Sequence, residues 1–553
     1  MEKIPSFNQY IEDSVIKFWD KDAFTDYKGA TLQYHDVARK IEKLHIMFEN
    51  SGVKRGDKIA LCGRNSSHWA VAFLATLTYG AIAVPVQNEF TPEQIHNIVN
   101  HSESKLLFVG DVVCTQVNPD MMPALEGIVY LPDFSIVISR SEQLTFAREH
   151  LNEIFGKRYP KFFRKEHIHY YKEQSPEELA MINYTSGTTG FSKGVMLPYR
   201  ALWGNIDYVL KCLTPNVKPG SNLVSILPMA HMYGLAVEFL FGFINGCHLY
   251  FLNRMPSPSL IAEAFAKVKP RLIVAVPLVI EKIIRRKVLA EVQTNRMKLL
   301  LNMPIINKKI KQHIRDRIME AFGGNAYEII VGGAPLNQGI EEFLNSVGVP
   351  ITIGYGTTET APLITFANYD NYKIASCGPV VDHMEAKVVS PDPANVPGEL
   401  IAKGMNVMLG YYKNEEATNA VLDKDGWFHT GDLATMAPSG HIYIKGRIKN
   451  MLLGANGQNV YPEEIEDKLN NMPLVGESII IQRDTKLIAL VHPEIEDKEA
   501  MDFDDDDVKG IMDENLKTLN NQLPPFCKIA AIEIQKEEFQ KTAKKSIKRY
   551  LYK

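Results

Sequence analysis

The sequence predicts an α/β protein: a large N-terminal domain of doubly wound sheets, a β-rich subdomain behind it, and a small α+β unit at the C-terminal end. Three observations lead there. In the first ~180 residues short apolar runs alternate with helical patterns of roughly 10–15 residues, the signature of a mostly parallel sheet. After about residue 375, short strands, glycines and turn residues take over. Beyond Arg447 a third texture begins, with one helix and a hairpin.

Taken in order, 34–50 carries the spacing of an amphipathic helix, 58–62 reads as a short buried strand and 67–77 as a helix. A strand at 81–85, a helix at 92–100 and the strand KLLFV at 105–109 follow. The pattern returns with strands at 223–227, 248–251, 271–276, 328–331 and 351–353. The β-rich region offers 398–402, 427–433 and 441–445. A helix at 462–469 precedes strands 478–482 and 487–491, which flank a turn and read as a hairpin. The acidic run 502–507 is expected to be a solvated loop. Two stretches, 69–86 and 234–252, approach membrane length. Pro85, Glu238 and His248 interrupt them, so both are expected to be buried helix-then-strand units.

Composition narrows the function. The chain has 553 residues, 45% hydrophobic and 23% charged, which excludes global disorder and a polytopic membrane protein. Lys+Arg 61 against Asp+Glu 65 gives a net charge of −4, so no overall basic field attracts nucleic acid. Six cysteines lie scattered without a C-x-x-C pair. That suggests reduced thiols in a cytoplasmic protein rather than a zinc site or a disulfide framework. The first residues are too charged for a secretory signal.

The densest local signal is Tyr184-Thr185-Ser186-Gly187-Thr188-Thr189-Gly190-Phe191-Ser192-Lys193-Gly194, which follows a predicted strand. Glycines let backbone N–H groups approach an anion, while hydroxyls and a lysine add donors. It is not a Walker loop, because Lys193 precedes Gly194 and the spacing fails.

This segment resembles the signature loop of the adenylate-forming superfamily, which includes acyl-CoA synthetases, luciferases and peptide-synthetase adenylation domains. Ser192 stands where that family usually has proline. Further stations follow in the family's order. Leu227-Pro228-Met229-Ala230-His231-Met232-Tyr233-Gly234 resembles its aromatic/His motif beside the acyl site, and Val331-Gly332-Gly333-Ala334-Pro335 its adenine-contacting turn. Gly354-Tyr355-Gly356-Thr357-Thr358-Glu359-Thr360 resembles its most specific block. The resemblance implies that Tyr355 packs on adenine beside Gly356 and Thr357, and that Glu359 and Thr185 hold Mg2+. Oxygen donors of this kind suit a hard dication that bridges phosphates. The blocks 426–433 and 444–450 imply that Asp432 accepts from the ribose hydroxyls and that Arg447 donates to the nucleotide. Asn450 stands where the family's hinge residue is usually Asp or Lys. The implied division is an N-terminal AMP- and acyl-binding domain, 1–447, and a mobile C-terminal domain, 448–553.

The implied reaction activates a carboxylic acid with ATP to an acyl-adenylate, then passes the acyl group to coenzyme A. No covalent enzyme nucleophile is needed; positioning and charge stabilisation suffice. The segment 271–283, with Val276-Pro277 and Glu281-Lys282-Ile283, is similar to the long-chain fatty acyl-CoA synthetase branch. A fatty acid is therefore the expected substrate. An aryl acid, a carrier-protein acceptor, or a binding protein that has lost catalysis stays open. Chain length, oligomeric state and peripheral contact with the inner face of the membrane also stay open.

The tail departs from the family. Its members carry a Gly-Lys pair whose lysine reaches the adenylate. Here Lys541-Thr542-Ala543-Lys544-Lys545-Ser546-Ile547-Lys548-Arg549 puts Ser546 at that position. A serine cannot supply the charge. Lys545, one residue earlier, is the expected substitute, and a crippled first half-reaction is the alternative.

Overall fold

The computed structural model describes residues 4–185, 193–284, 304–453, 459–483, 486–494, 505–541 and 547–552. Two large sheets dominate. The first has the spatial order Gly410–Tyr411, Lys193–Pro198, Leu179–Thr185, Ile82–Val86, Lys58–Cys62, Ser104–Val109, Gly127–Tyr130, Ile136–Ser139. Its five central strands, Leu179–Thr185 to Gly127–Tyr130, run parallel. Their near-continuous apolar runs are what burial on both faces demands. The second sheet has the order Ile351–Ile353, Glu328–Val331, Leu272–Ala275, Asn222–Ser225, His248–Phe251, Asp22–Asp26, Thr31–Gln33 and is parallel except at its last strand. The N-terminal strand Asp22–Asp26 thus belongs to the sheet formed mostly by the middle of the chain.

The helix Ser67–Tyr79 packs on strands of both sheets. It is apolar around nearly its whole circumference, as a helix between two layers must be. Ser66 caps it by accepting from Trp69 N, and Gly80, with φ +86°, ends it in the left-handed region. Trp69 stacks on Phe73 at 5.4 Å, and Phe239 meets Phe73 edge-on at 6.0 Å. These rings join the two sheets in one core. Both stretches of near-membrane length are buried helix-then-strand units: Ser67–Tyr79 with Ile82–Val86, and 234–244 with His248–Phe251. Among the described residues no helix is long and apolar enough to cross a membrane.

The β-rich subdomain is a four-stranded antiparallel sheet, Met384–Val389, Gly398–Gly404, Phe428–Met436 and Ile442–Arg447, around Val388, Leu400, Ala434 and Ile442. The C-terminal unit packs helices Pro462–Asn470 and Asp505–Gln522 on the sheet Val475–Arg483, Lys486–Pro493, Ile529–Ile534. The hairpin is present, and residues 484–485 at its tip lie outside the described residues.

Two expectations need correction. The acidic run is not all loop: residues 505–507 open a helix, where negative charge favours the N-terminal end. The strand expected at 223–227 stops at Ser225. The N–H groups of Ile226 and Leu227 turn to the buried Glu238 carboxylate instead of a neighbouring strand. All six cysteines are free.

Candidate active site

Ligands of parallel α/β sheets bind beyond the carboxyl ends of the strands, and the sequence motifs gather there. Leu179–Thr185 ends at Thr185, which pairs with Lys193 across the antiparallel strand Lys193–Pro198. Leu179–Thr185 and Lys193–Pro198 are thus antiparallel neighbours on either side of the glycine- and hydroxyl-rich segment. Ser186, Gly187, Thr188, Thr189 and Gly190 lie outside the described residues. Lys193 Nζ sits 4.7 Å from the centre of the Tyr411 ring.

At the ends of the second sheet, Gly332 N donates to Ala275 O (3.2 Å) and Gly354 N to Val331 O (3.1 Å). Gly333 has φ +83°, a backbone that a side chain would strain, and it leaves Gly333 and Ala334 exposed. Tyr233 donates to Ile330 O (3.1 Å) and lays its ring against Gly332. This places the His231 turn beside the Gly332–Gly333 turn. Its backbone is closed by His231 N donating to Pro228 O (3.0 Å).

Three buried or half-buried polar side chains hold that turn, and no motif announced them. Asn65 donates to Leu227 O (2.6 Å) and accepts from Met229 N (2.9 Å). Asn183, two residues before Thr185, donates to Ala230 O (3.0 Å). Glu238 accepts from Ser225 Oγ (3.0 Å) as well as from Ile226 and Leu227 N. Burial pushes the Glu238 carboxyl well above the usual range. It lies in a π-helical segment, Gly234–Leu240, a local geometry often found at functional sites.

The Tyr355 block follows the strand Ile351–Ile353. Tyr355 donates to Asp432 Oδ2 at 2.5 Å, and Arg447 Nε lies 3.1 Å from Asp432 Oδ1. Asp432 and Arg447 face each other across adjacent strands. Burial raises the Asp432 carboxyl above its ordinary value; Arg447 and Tyr355 pull it down, and Glu359 pushes it up. Gly356 has no room for a side chain, since an added Cβ would lie 1.8 Å from Pro362 O. Thr357 N donates to the same carbonyl (2.9 Å). Glu359 is half-buried and accepts from Tyr411 OH at 2.9 Å.

Among the described residues no three His, Cys, Asp or Glu side chains cluster as a metal site. A dication at Glu359 would need hydroxyl and phosphate oxygens to complete its shell. That donor set is all oxygen, and it fits Mg2+. At the C-terminal unit, Asn450 donates to Glu463 Oε1 (2.6 Å) and Lys445 pairs with Glu464 (3.2 Å), joining the last strand of the subdomain to the helix Pro462–Asn470. Lys545 and Ser546 lie outside the described residues. The segments around them are tied by a Lys541–Ile547 bridge and by Arg549 on the buried Glu466.

Two large α/β sheets carry Thr185 and the Gly332–Gly333 turn at their strand ends, and Tyr355 reaches Asp432 on the antiparallel subdomain, an arrangement suited to a nucleotide-using enzyme. The AMP-binding enzyme profile matches residues 11–412, and the AMP-binding enzyme C-terminal domain matches 449–552. The chain belongs to the AMP-binding enzyme family. The long-chain-fatty-acid–CoA ligase of Escherichia coli O6:H1 is 30% identical over 507 residues, 86% of this chain and 82% of that protein. Human long-chain-fatty-acid–CoA ligase ACSBG2 is 24% identical over 87% of this chain and 75% of its own length. The solved anthranilate CoA ligase AuaEII, in complex with anthranoyl-AMP, superposes with a TM-score of 0.78 at 17% identity over 99% of this chain and 97% of that one. That likeness shows the fold.

Proposed function

We propose that the chain is a long-chain fatty acid–CoA ligase. A carboxylate oxygen attacks the α-phosphorus of ATP and the bond to the β-phosphate breaks, giving an acyl-adenylate and pyrophosphate. The thiol of coenzyme A then attacks the acyl carbon, and the carbon–oxygen bond breaks to release AMP.

In this reading Ser186–Gly190 and Lys193 hold the departing pyrophosphate. Gly333, Ala334, Tyr355, Gly356 and Thr357 cradle adenine, while Asp432 and Arg447 take the ribose and its phosphate. His231 borders the acyl carboxylate, and Lys545 closes on it from the C-terminal domain. Glu359 and Thr185 would hold Mg2+, which when bound neutralises phosphate charge. The chain divides into bodies 1–447 and 448–553, and rotation about the segment at Asn450 exchanges the two half-reactions. The observation that supports the reading is that Lys193, which pairs with Thr185 across adjacent strands, and Glu359 both contact Tyr411.

The fatty acid assignment is supported by the 30% identical relative. Each buried CH₂ contributes about 0.8 kcal/mol, so an apolar tail is sufficient for tight binding. Ser546 at the usual lysine position favours one second reading, an enzyme impaired in adenylation. The test is a panel of short-, medium- and long-chain fatty acids and aryl acids with ATP and coenzyme A, read by AMP release. Highest kcat/KM on long-chain acids supports the proposal; preference for an aryl acid overturns the substrate class.

A further inference from the structure

We propose that Tyr411 is a positioning residue that holds Glu359 and Lys193 apart and in place, so that the carboxylate faces the metal and the lysine faces the phosphates. The inference rests on the reading of Glu359 as the Mg2+ carboxylate.

Tyr411 is 6% exposed and has a different contact at each part of its side chain. Its hydroxyl donates to Glu359 Oε1 at 2.9 Å, and its ring lies under the Lys193 ammonium at 4.7 Å. Without it, an ammonium and a carboxylate on the same rim would pair, and each would be withdrawn from the ligand. The ring offers the lysine a cation–π seat instead. The hydroxyl occupies one carboxylate oxygen and leaves the other for a dication.

The backbone gives Tyr411 the rigidity this role needs. Gly410–Tyr411 pairs with Val195 and Met196 on the strand that leaves the phosphate loop. Tyr412 N donates to Gly194 O (2.7 Å), Leu409 N to Met196 O (2.9 Å), and Met408 N to Glu359 O (2.9 Å). Segment 408–412 therefore joins the exit of the loop to the Glu359 turn. Gly410 has φ +140° and Thr418 lies where its Cβ would be, so the approach needs glycine. Thr418 Oγ1 also accepts from Tyr411 N (2.9 Å).

The test measures metal binding rather than turnover. Mn2+ is titrated into enzyme holding α,β-methylene-ATP and followed by electron paramagnetic resonance. Tyr411→Phe keeps the ring and loses the donor; one hydrogen bond to a charged group predicts Mn2+ affinity weaker by about tenfold. The affinity for the metal-free analogue should stay at the parental value in Tyr411→Phe and fall in Tyr411→Leu, which also loses the ring. Should Tyr411→Phe not fold, 4-fluorophenylalanine at position 411 fills the oxygen's volume without donating and carries the same expectation. Glu359→Gln is the control. If it loses Mn2+ while Tyr411→Phe binds as the parent does, the role of Tyr411 is wrong and that of Glu359 stands. If Glu359→Gln itself binds Mn2+ like the parent, the metal assignment fails, and this inference with it.

Discussion

Replacing Asp432 by alanine separates nucleotide binding from chemistry. In the free enzyme this carboxylate is 5% exposed and already engaged by Tyr355 OH at 2.5 Å and Arg447 Nε at 3.1 Å. Asp432→Ala removes the charged partner of the half-buried Tyr355 hydroxyl, a hydrogen bond worth about 1.5–3 kcal/mol, while Thr430 stays as a second partner. Arg447 is 56% exposed at its side chain and rehydrates at little cost. The variant should therefore fold, with Tm lower by a few degrees. On the nucleotide side, a hydrogen bond to a charged group is worth about 1.5–3 kcal/mol. Because the ribose must displace partners the carboxylate already has, we expect a net loss of about 2 kcal/mol, roughly thirtyfold in KM for ATP. Ribose contacts are similar in ground and transition states, so kcat should change little. The assay compares ATP with 2′,3′-dideoxy-ATP in both proteins, a mutant cycle on the diol. The parent should lose roughly thirtyfold on the analogue, and Asp432→Ala should treat the two nucleotides alike. An Asp432→Ala enzyme that still prefers ATP as strongly as the parent does would refute the assignment. The ionised carboxylate is the acceptor, and burial raises its pKa. Nucleotide affinity should therefore be lost on the acid side at a higher pH than an exposed aspartate would give, and Asp432→Asn should lack that limb.

Three further outcomes follow from the same geometry. If Lys545 supplies the adenylating charge, Lys545→Ala abolishes adenylation, Ser546→Lys gains little, and both keep thioester formation from preformed acyl-adenylate; a silent Lys545→Ala together with a large gain in Ser546→Lys would mark the parent as impaired. Gly356→Ala, whose Cβ would meet Pro362 O at 1.8 Å, should cost at least about 1–3 kcal/mol of stability and lose adenylation, read by melting and by pyrophosphate exchange. His45, buried on the helix Tyr34–Asn50 with Nε2 3.0 Å from Ala75 O, is pushed down to about 4 by burial. The unfolded chain thus binds this proton first on acidification. About 3 kcal/mol of stability, complete above pH ~6.5, should be lost as pH falls towards about 4, and urea titrations of His45→Gln should show a shallower acid slope.

Much of the architecture was legible because it is local. The strands Lys58–Cys62, His248–Phe251 and Glu328–Val331 are apolar runs whose neighbours punctuate them, and their bounds coincide with the sequence reading. The glycine- and hydroxyl-rich segment 184–194, the Tyr355 block and the Asp432 strand were legible as dense clusters of glycine, hydroxyl and charged residues. What holds those clusters together was not. Asn65 braces Leu227, Asn183 braces Ala230 and Tyr411 meets Glu359 across long sequence separations. A lone asparagine or tyrosine gives no sign of its partner until the chain has folded. Glu238 looked like a charge that interrupts an apolar run, and its burial and its backbone partners are purely tertiary. The acidic run misled because net charge speaks of solvation, whereas Asp506 and Asp507 sit where a helix end favours them.

The central claim is that the acid is activated through an acyl-adenylate. It is tested most directly by turning over a long-chain fatty acid labelled with oxygen-18 in both carboxylate positions, with ATP, Mg2+ and coenzyme A, and weighing the products by mass spectrometry. Attack of the carboxylate on the α-phosphorus, followed by thiolysis at the acyl carbon, leaves one labelled oxygen in AMP and none in pyrophosphate. Release of ADP with the label in inorganic phosphate, or AMP free of label, would contradict the account.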